Sequence, residues 1–192
     1  MKIFKSYIFY YFIIMKIIYQ LFLSSSLGLS FVPISLAQNP PNETSFFTGS
    51  PPTLASVTSP HKTVNWPYPH YYFTIAIPSN CQQALGLITI FPQPSISPVT
   101  FNLQETKAFL GERGNRGKMV SINTTQAENG LISVFFDSPI PSGSKVTVSL
   151  EAWENPSVSG IYQYTVKAFP AGTNPVGLNL GVGRISIYSN NR

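Results

Sequence analysis

Residues 155–172 read N-P-S-V-S-G-I-Y-Q-Y-T-V-K-A-F-P-A-G, a turn signal followed by an alternating run and a second turn signal. In the run, apolar Tyr162, Tyr164, Val166 and Ala168 alternate with Gln163, Thr165 and Lys167. A period of two puts alternate side chains on opposite faces of a strand, so the run predicts a half-buried β-strand. The flanking prolines and glycines predict tight turns.

The same period recurs elsewhere in the chain. It predicts half-buried strands over 71–77 (YYFTIAI) and 145–152 (KVTVSLEA), whereas 131–136 (LISVFF) is apolar on both faces and predicts a central strand. Further candidate strands are 85–91, 99–102, 118–123 and 182–188. Only 102–110 (NLQETKAFL) is compatible with a short helix. Seven or eight short strands joined by Pro-rich and Gly-rich turns predict an all-β fold, an antiparallel immunoglobulin-like β-sandwich.

The first 37 residues have the pattern of a signal peptide. Three lysines precede an apolar stretch over 17–32, and Ser35-Leu36-Ala37 forms a small-x-small site, which predicts cleavage between Ala37 and Gln38. Translation from Met15 rather than Met1 would give a signal of more usual length. An uncleaved anchor is the alternative, although Pro33 and several serines interrupt the apolar stretch. We therefore expect an exported protein, periplasmic or extracellular, without a membrane span in the mature chain.

Removal of this signal changes the charge of the protein. The whole chain has 12 basic and 7 acidic residues, a net charge of +5. Three of the lysines and none of the acids lie in residues 1–37, so 9 basic and 7 acidic residues remain, a net charge of +2. The remaining basic residues are scattered in sequence, which argues against a nucleic-acid partner.

Residues 38–69 are rich in Pro, Ser, Thr and Asn, and this composition predicts a flexible lead-in before a β-sandwich domain over 70–192. Cys81 is the sole cysteine, so no internal disulfide is possible. No Lys, Arg or His stands near Cys81 in the sequence to lower its pKa, and we expect an inert thiol in a turn, although an intermolecular disulfide stays open. Sequons stand at Asn42 and Asn123.

Residues suited to catalysis or to metal and cofactor binding are sparse. The two histidines, His61 and His70, do not form a cluster of metal ligands, and no cofactor motif is present. Glu151 and Glu154 are a possible carboxylate pair for a glycoside hydrolase, but their positions on a wet strand face and in a turn are typical of solvated carboxylates. We expect no catalytic residues and a protein that is not an enzyme.

Residues 111–118, G-E-R-G-N-R-G-K, superficially resemble a phosphate-binding loop. The spacing between the glycines is too long, Met119 follows the lysine instead of Ser or Thr, and the run leads into a strand instead of a helix. We therefore predict a mobile glycine-rich hairpin loop.

Aromatic residues exceed what one core requires, so some are expected on the surface. They are Trp66, Tyr68, Tyr71, Tyr72, Trp153, Tyr162 and Tyr188. Exposed rings can stack on sugars or anchor protein partners. The candidate contact residues are Trp66, Tyr68, His70, Tyr72 and Arg184; Arg184 could instead pair with Asp137 or Glu151.

The C-terminal third carries three ordered motifs, N-P-x3-G-x-Y over 155–162, F-P-A-G over 169–172 and L-G-x-G-R over 180–184. In this series the sequence resembles exported cyanobacterial proteins of domain-of-unknown-function family 2808, over about residues 71–188. Cys81 departs from the pattern, standing where a small residue is expected, and Gln163-Tyr164 replaces a more apolar pair. The family has no established activity, so the resemblance implies a compartment and a fold but no site.

Within the motifs, the residue types indicate structural roles. Pro156 is expected to fix a turn, Gly160 to adopt positive φ, and Pro170 and Gly172 to end the strand. Gly181 and Gly183 predict a bulge or a close approach.

Three functional hypotheses follow. The first is an exported, non-enzymatic module that binds an envelope protein or polysaccharide. The second is a small-ligand or metal carrier with Arg184, His70 and Tyr72 around one pocket. The third is a hydrolase acting through Glu151 or Glu154.

Overall fold

The structure is a computed structural model that describes residues 44–189. They belong to one compact unit, Pro40–Arg192. The predicted signal peptide, its cleavage position after Ala37, the alternative start at Met15 and the sequon at Asn42 lie outside the described residues.

Residues 44–189 form an all-β sandwich of ten strands. The strands are β1 (Thr53–Thr58), β2 (His70–Ala76), β3 (Leu85–Pro92), β4 (Phe101–Glu112), β5 (Asn115–Val120), β6 (Ile122–Gln126), β7 (Ile132–Ile140), β8 (Lys145–Ala152), β9 (Gly160–Pro170) and β10 (Leu178–Ile187). The first sheet has the order β1-β2-β8-β4-β5 and the second the order β10-β9-β3-β7-β6. All the neighbouring strands pair antiparallel. The predicted antiparallel immunoglobulin-like sandwich is confirmed, with ten strands instead of seven or eight.

The core lies between the two sheets and is filled by alternate residues of each strand. β2 contributes Tyr71, Phe73 and Ile75, which are fully buried. Tyr164 of β9 reaches from the second sheet and packs edge-on against Tyr71 and Phe73, with ring centroids 5.9 and 5.5 Å apart. Each large apolar side chain buried in this way stabilises the fold by about 1.5–3 kcal/mol.

Two segments differ from the sequence prediction. Residues 53–58, within the segment predicted to be flexible, form β1, which pairs with β2 and forms one edge of the first sheet. Residues 102–110, predicted as a possible short helix, lie in β4. In both places the backbone hydrogen bonds of a neighbouring strand outweigh a weak local preference.

Burial also differs from the prediction for three strands. β2 and β8 were expected to have one wet face, but Thr74 and Thr147 on the outer face are buried and hydrogen-bonded to each other at 2.9 Å. β7 was expected to be central and buried on both faces, whereas it lies next to the edge strand β6 and leaves Phe135 exposed. Side-chain hydrophobicity alone does not reveal which strand occupies the middle of a sheet.

The motif glycines have separate roles. Gly160 does not have the positive φ predicted for it, because it begins β9 in ordinary strand conformation. Gly181 has φ +115° next to the bulge between β9 and β10, as predicted. Gly183 lies against β1: a Cβ there would come within 2.3 Å of Val57 Cγ2. The predicted bulge and close approach are therefore both confirmed.

Candidate functional site

The outer face of the first sheet continues beyond its strands. His70 pairs with Glu151 in the β2–β8 ladder, and the pairing extends through the Ala152 N–H to the Pro69 carbonyl (2.9 Å) and the Tyr68 N–H to the Trp153 carbonyl (3.0 Å). The pairing is irregular at this point, because Trp153 donates its N–H to the Thr100 carbonyl and accepts from Tyr68, and Tyr68 has a positive φ. Tyr68 and Trp153 therefore follow His70 and Glu151 at the end of the β2–β8 pair, beyond the regular alternation of side chains. We call this row the outer strip: Tyr68, His70 and Tyr72 on one side, Trp153, Glu151 and Ser149 on the other.

Two exposed aromatic rings form one end of the outer strip. Tyr68 and Trp153 pack edge to face with centroids 6.2 Å apart, yet they are 57% and 52% exposed. Tyr68 has φ +48°, an unfavourable backbone region for a residue of this size. Such strain persists only where the surroundings enforce it, and here the ladder hydrogen bonds hold the backbone.

Asn155 fixes the segment that leads to this end. It is 3% exposed, accepts a hydrogen bond from the Tyr71 hydroxyl at 2.6 Å, and donates to the carbonyls of His61 (3.0 Å) and Thr63 (2.8 Å). Its own N–H donates to the carbonyl of Trp66 at 2.9 Å. The first residue of the N-P-x3-G-x-Y motif therefore attaches residues 61–66 to the core.

The middle of the outer strip is polar. The His70 Nε2 atom lies 3.7 Å from the Glu151 carboxylate, and Nδ1 lies 3.3 Å from the Ser149 hydroxyl. Asn102 of β4 donates to Glu151 at 3.3 Å. The His70 ring therefore lies between the Ser149 hydroxyl and the Glu151 carboxylate.

Two arginines from residues 111–118 cover the other end of the outer strip. The guanidinium carbons of Arg113 and Arg116 lie 5.8 and 5.7 Å from the centroid of the Tyr72 ring, and Arg116 lies 5.1 Å from that of Phe109. Arg116 Nη2 also donates to the Tyr72 hydroxyl at 3.1 Å. Tyr72 is consequently only 6% exposed, so the prediction that its ring is an exposed contact is wrong.

Sequence reasoning missed these arginines. The predicted mobile loop is the β4–β5 hairpin, which is paired up to Glu112 and Asn115. The signal was present in the alternation of Arg and Gly, but the ring beneath belongs to β2, more than 40 residues earlier in the chain. Basic residues scattered in sequence are brought together by the fold.

Arg184 does not belong to the outer strip. It pairs with Gln163 on β10, an edge strand of the second sheet, and points to the outer face of that sheet. The sandwich core separates it from His70 and Tyr72, so the predicted pocket shared by these three residues is not formed. Arg184 does not form either of the predicted pairs. Glu151 belongs to the other sheet, and Asp137 lies on β7, three strands from β10, where its carboxylate accepts a hydrogen bond from the Ser121 hydroxyl.

Trp66 and Tyr188 are exposed, as predicted. Trp66 stacks on His61 with centroids 4.8 Å apart, and Tyr188 is joined to the same segment through the Lys62 carbonyl (2.7 Å). Tyr71 and Tyr162 were also expected at the surface, but both are buried. Burial raises the pKa of Tyr71 far above its usual value, and the neighbouring Tyr162 raises it further.

The remaining candidates are dispersed. Cys81 is buried, and its thiol donates to the Gln83 carbonyl at 3.3 Å, which agrees with the inert role expected for it. Glu154 is exposed and forms an isolated antiparallel β-bridge with Pro67, and Asn123 is exposed on β6. Among residues 44–189, no three His, Cys, Asp or Glu residues are grouped so that they could hold a metal ion. No helix in this part of the chain is long and apolar enough to span a membrane.

The fold and surface define an antiparallel β-sandwich with an aromatic and basic outer face. A sequence profile of the family described as "Protein of unknown function (DUF2808)" matches residues 44–187, and the chain belongs to that family. The match includes β1, so the family domain begins within the segment predicted to be a flexible lead-in. No curated protein sequence matches the chain.

Solved structures share the sandwich fold at low similarity. A bacterial hydrophobin, BslA, is 13% identical with a TM-score of 0.43, over 74% of this chain and 100% of that one. An uncharacterised immunoglobulin-like protein from Nocardia farcinica is 8% identical, with a TM-score of 0.43 over 69% and 96% of the chains. A collagen-binding domain of a Staphylococcus aureus adhesin is 11% identical, with a TM-score of 0.39 over 77% and 99%.

Proposed function

We propose that this protein is an exported, non-enzymatic module that binds a protein or polysaccharide of the cell envelope or extracellular space through the outer strip. Export is supported by the sequence pattern of residues 1–37. Binding without catalysis is supported by the two carboxylates near the strip. Glu151 is engaged by His70 and Asn102, and Glu154 is exposed to solvent at its β-bridge with Pro67.

The observation that carries the proposal is the Tyr68–Trp153 pair. Two large rings are more than half exposed on a backbone that hydrogen bonds hold in place, and one of them keeps an unfavourable φ. A rigid aromatic pair loses little conformational entropy on binding, and such residues dominate many binding surfaces. The exposed surfaces of these two rings are therefore available to a partner.

The experiment is capture of envelope material by the immobilised protein. The Trp153→Ala and Tyr68→Ala variants are expected to lose at least about fivefold of the material retained, because the ring that contacts the partner is removed. Phe135→Ala, which removes an exposed ring from the outer face of the second sheet, is the matched control and should retain wild-type capture. Equal losses in all three variants would contradict the proposal.

The hydrolase and carrier hypotheses have weaker support. The residues proposed for the carrier lie on opposite outer faces of the sandwich. For the hydrolase, replacement of both Glu151 and Glu154 by Gln should leave any glycosidase activity on envelope polysaccharide unchanged; loss of such an activity would restore that hypothesis.

A further inference from the structure

The basic end of the outer strip identifies a class of ligand. Resting on the proposed function, we propose that the ligand is an acidic polysaccharide whose anionic groups bind Arg113 and Arg116 while its sugar rings contact Tyr68 and Trp153. This proposal narrows the class of partner from a protein or a polysaccharide to an acidic polysaccharide.

No carboxylate forms a salt bridge with either arginine within the described part of the protein. Salt bridges there join Glu112 to Lys145 (2.6 Å) and Glu105 to Lys107 (3.1 Å), and the Glu151 carboxylate lies 3.7 Å from the His70 imidazole. Glu112, which precedes Arg113, is thus paired with a lysine, and none of these contacts includes Arg113 or Arg116. An unneutralised pair of guanidinium groups attracts an anion.

The geometry of Arg116 is fixed before any ligand arrives. Its guanidinium lies over two aromatic rings and donates one N–H to the Tyr72 hydroxyl. A guanidinium group has five N–H donors, so others are left to bind a ligand. A planar fork held in place loses little entropy when it binds a carboxylate or sulfate group, and it can bind with two parallel hydrogen bonds.

Hairpin glycines create this geometry. Gly111 has φ +90°, and a Cβ there would come within 2.3 Å of the Asn115 carbonyl oxygen, so the chain can fold back at this point only with glycine. A Cβ on Gly117 would meet the Leu110 carbonyl oxygen at 3.0 Å. The glycines of G-E-R-G-N-R-G-K therefore allow the tight hairpin in which Arg116 lies over the Tyr72 ring.

The length of the strip favours a polymer over a small anion. Tyr72 lies within β2, whereas Tyr68 lies two residues before the start of β2 at His70. The aromatic pair lies at one end and the arginines at the other, with the polar His70 and Ser149 between them. Aromatic contacts at one end and ionic contacts at the other match a polymer of acidic sugars.

The test is isothermal titration of the purified protein with polygalacturonate, dextran sulfate and neutral dextran. The expected result is binding to at least one of the acidic polymers and none to neutral dextran. Tighter binding to polygalacturonate would indicate recognition of carboxylate groups, and tighter binding to dextran sulfate would indicate recognition of sulfate groups. The Arg113→Gln/Arg116→Gln variant should lose about tenfold or more in affinity, since charge-assisted hydrogen bonds are removed.

Arg184→Gln is the matched control, because it makes the same kind of charge change on the opposite sheet; it should alter affinity by less than about twofold. Arg113→Gln alone, and Arg116→Lys, guard against a fold defect from uncovering Tyr72 and Phe109. Both should melt as wild type, with Arg113→Gln weakening binding. A loss in Arg184→Gln equal to that in the hairpin variants would overturn the inference.

Polyglutamate and Trp153→Ala distinguish the remaining outcomes. Polyglutamate is an acidic polymer without sugar rings. If it binds as tightly as the acidic polysaccharides and Trp153→Ala does not weaken that binding, the attraction is by charge alone, and the assignment to a polysaccharide is overturned. If no acidic polymer binds while Trp153→Ala still lowers capture of envelope material, the ligand inference fails and the proposed function stands. If neither is observed, both fail.

Discussion

At the scale of single residues, Asn155 shows what a sequence can and cannot predict. Its position before Pro156 indicates a turn, and the turn is present. Its partners, however, lie 84 to 94 residues away, at Tyr71, Thr63 and His61. Long-range hydrogen bonds of this kind leave no periodic pattern, so the residue was predicted to be part of a turn and not a buried attachment point.

Replacement of Asn155 by Ala should destabilise the protein by about 2–3 kcal/mol, because the buried Tyr71 hydroxyl and two partly buried carbonyls lose their partner. The midpoint of urea unfolding measures this effect. Asn123→Ala, at an exposed asparagine, is the control and should change stability by less than about 0.5 kcal/mol. Similar midpoints for the two variants would contradict the role given to Asn155.

The buried tyrosines predict a loss of stability at alkaline pH. Burial raises the pKa of Tyr71 and of Tyr164 in the folded state above the ordinary value of 10.0. Above that value the unfolded chain releases these protons while the folded chain retains them, so unfolding becomes more favourable as pH rises. Melting temperatures should therefore fall above about pH 10.

Tyr71→Phe tests the source of this pH dependence. The variant is less stable at pH 8, since Asn155 loses a donor, but its melting temperature should decline less steeply between pH 10 and pH 11.5. An unchanged slope would show that Tyr71 does not contribute to the alkaline loss.

At the scale of elements, the strands that the sequence predicted poorly are those at or near a sheet edge. β1 lies in a Pro-rich, Ser-rich segment whose composition resembles a linker, and it becomes ordered because β2 offers a row of backbone partners. β10 was predicted from 182 but begins at Leu178, before the bulge at Gly181. Edge strands depend on their neighbour more than on their own sequence.

Contact between the two edge strands gives a prediction for Gly183. Gly183→Ala should destabilise the protein by about 1–3 kcal/mol, because the added methyl group would overlap Val57 and force β1 and β10 apart. Thermal unfolding of the single and double variants measures this. Val57→Ala combined with Gly183→Ala should recover part of the loss; if the double variant shows only the sum of the two single losses, the two residues do not compete for the same space.

At the scale of the whole molecule, the sequence predicted the sandwich because alternation along strands is a local property. It also indicated Tyr68 and His70 as candidate contact residues, but not that they lie next to each other at the start of β2. It could not predict that Arg184 faces the opposite side or that Arg116 covers Tyr72, because both depend on strand order. The arrangement of sheets, rather than any single motif, assembles the outer strip.

The most direct test of the outer strip is hydroxyl-radical footprinting with and without envelope material. Tyr68, Trp153 and His70 are predicted to become protected when the ligand binds, because their side chains are covered. Phe135 and Ile161 on the second sheet, which are exposed in the free protein, should keep their reactivity. Protection of Phe135 and Ile161 while Tyr68 and Trp153 remain reactive would contradict the assignment of the binding surface to the first sheet.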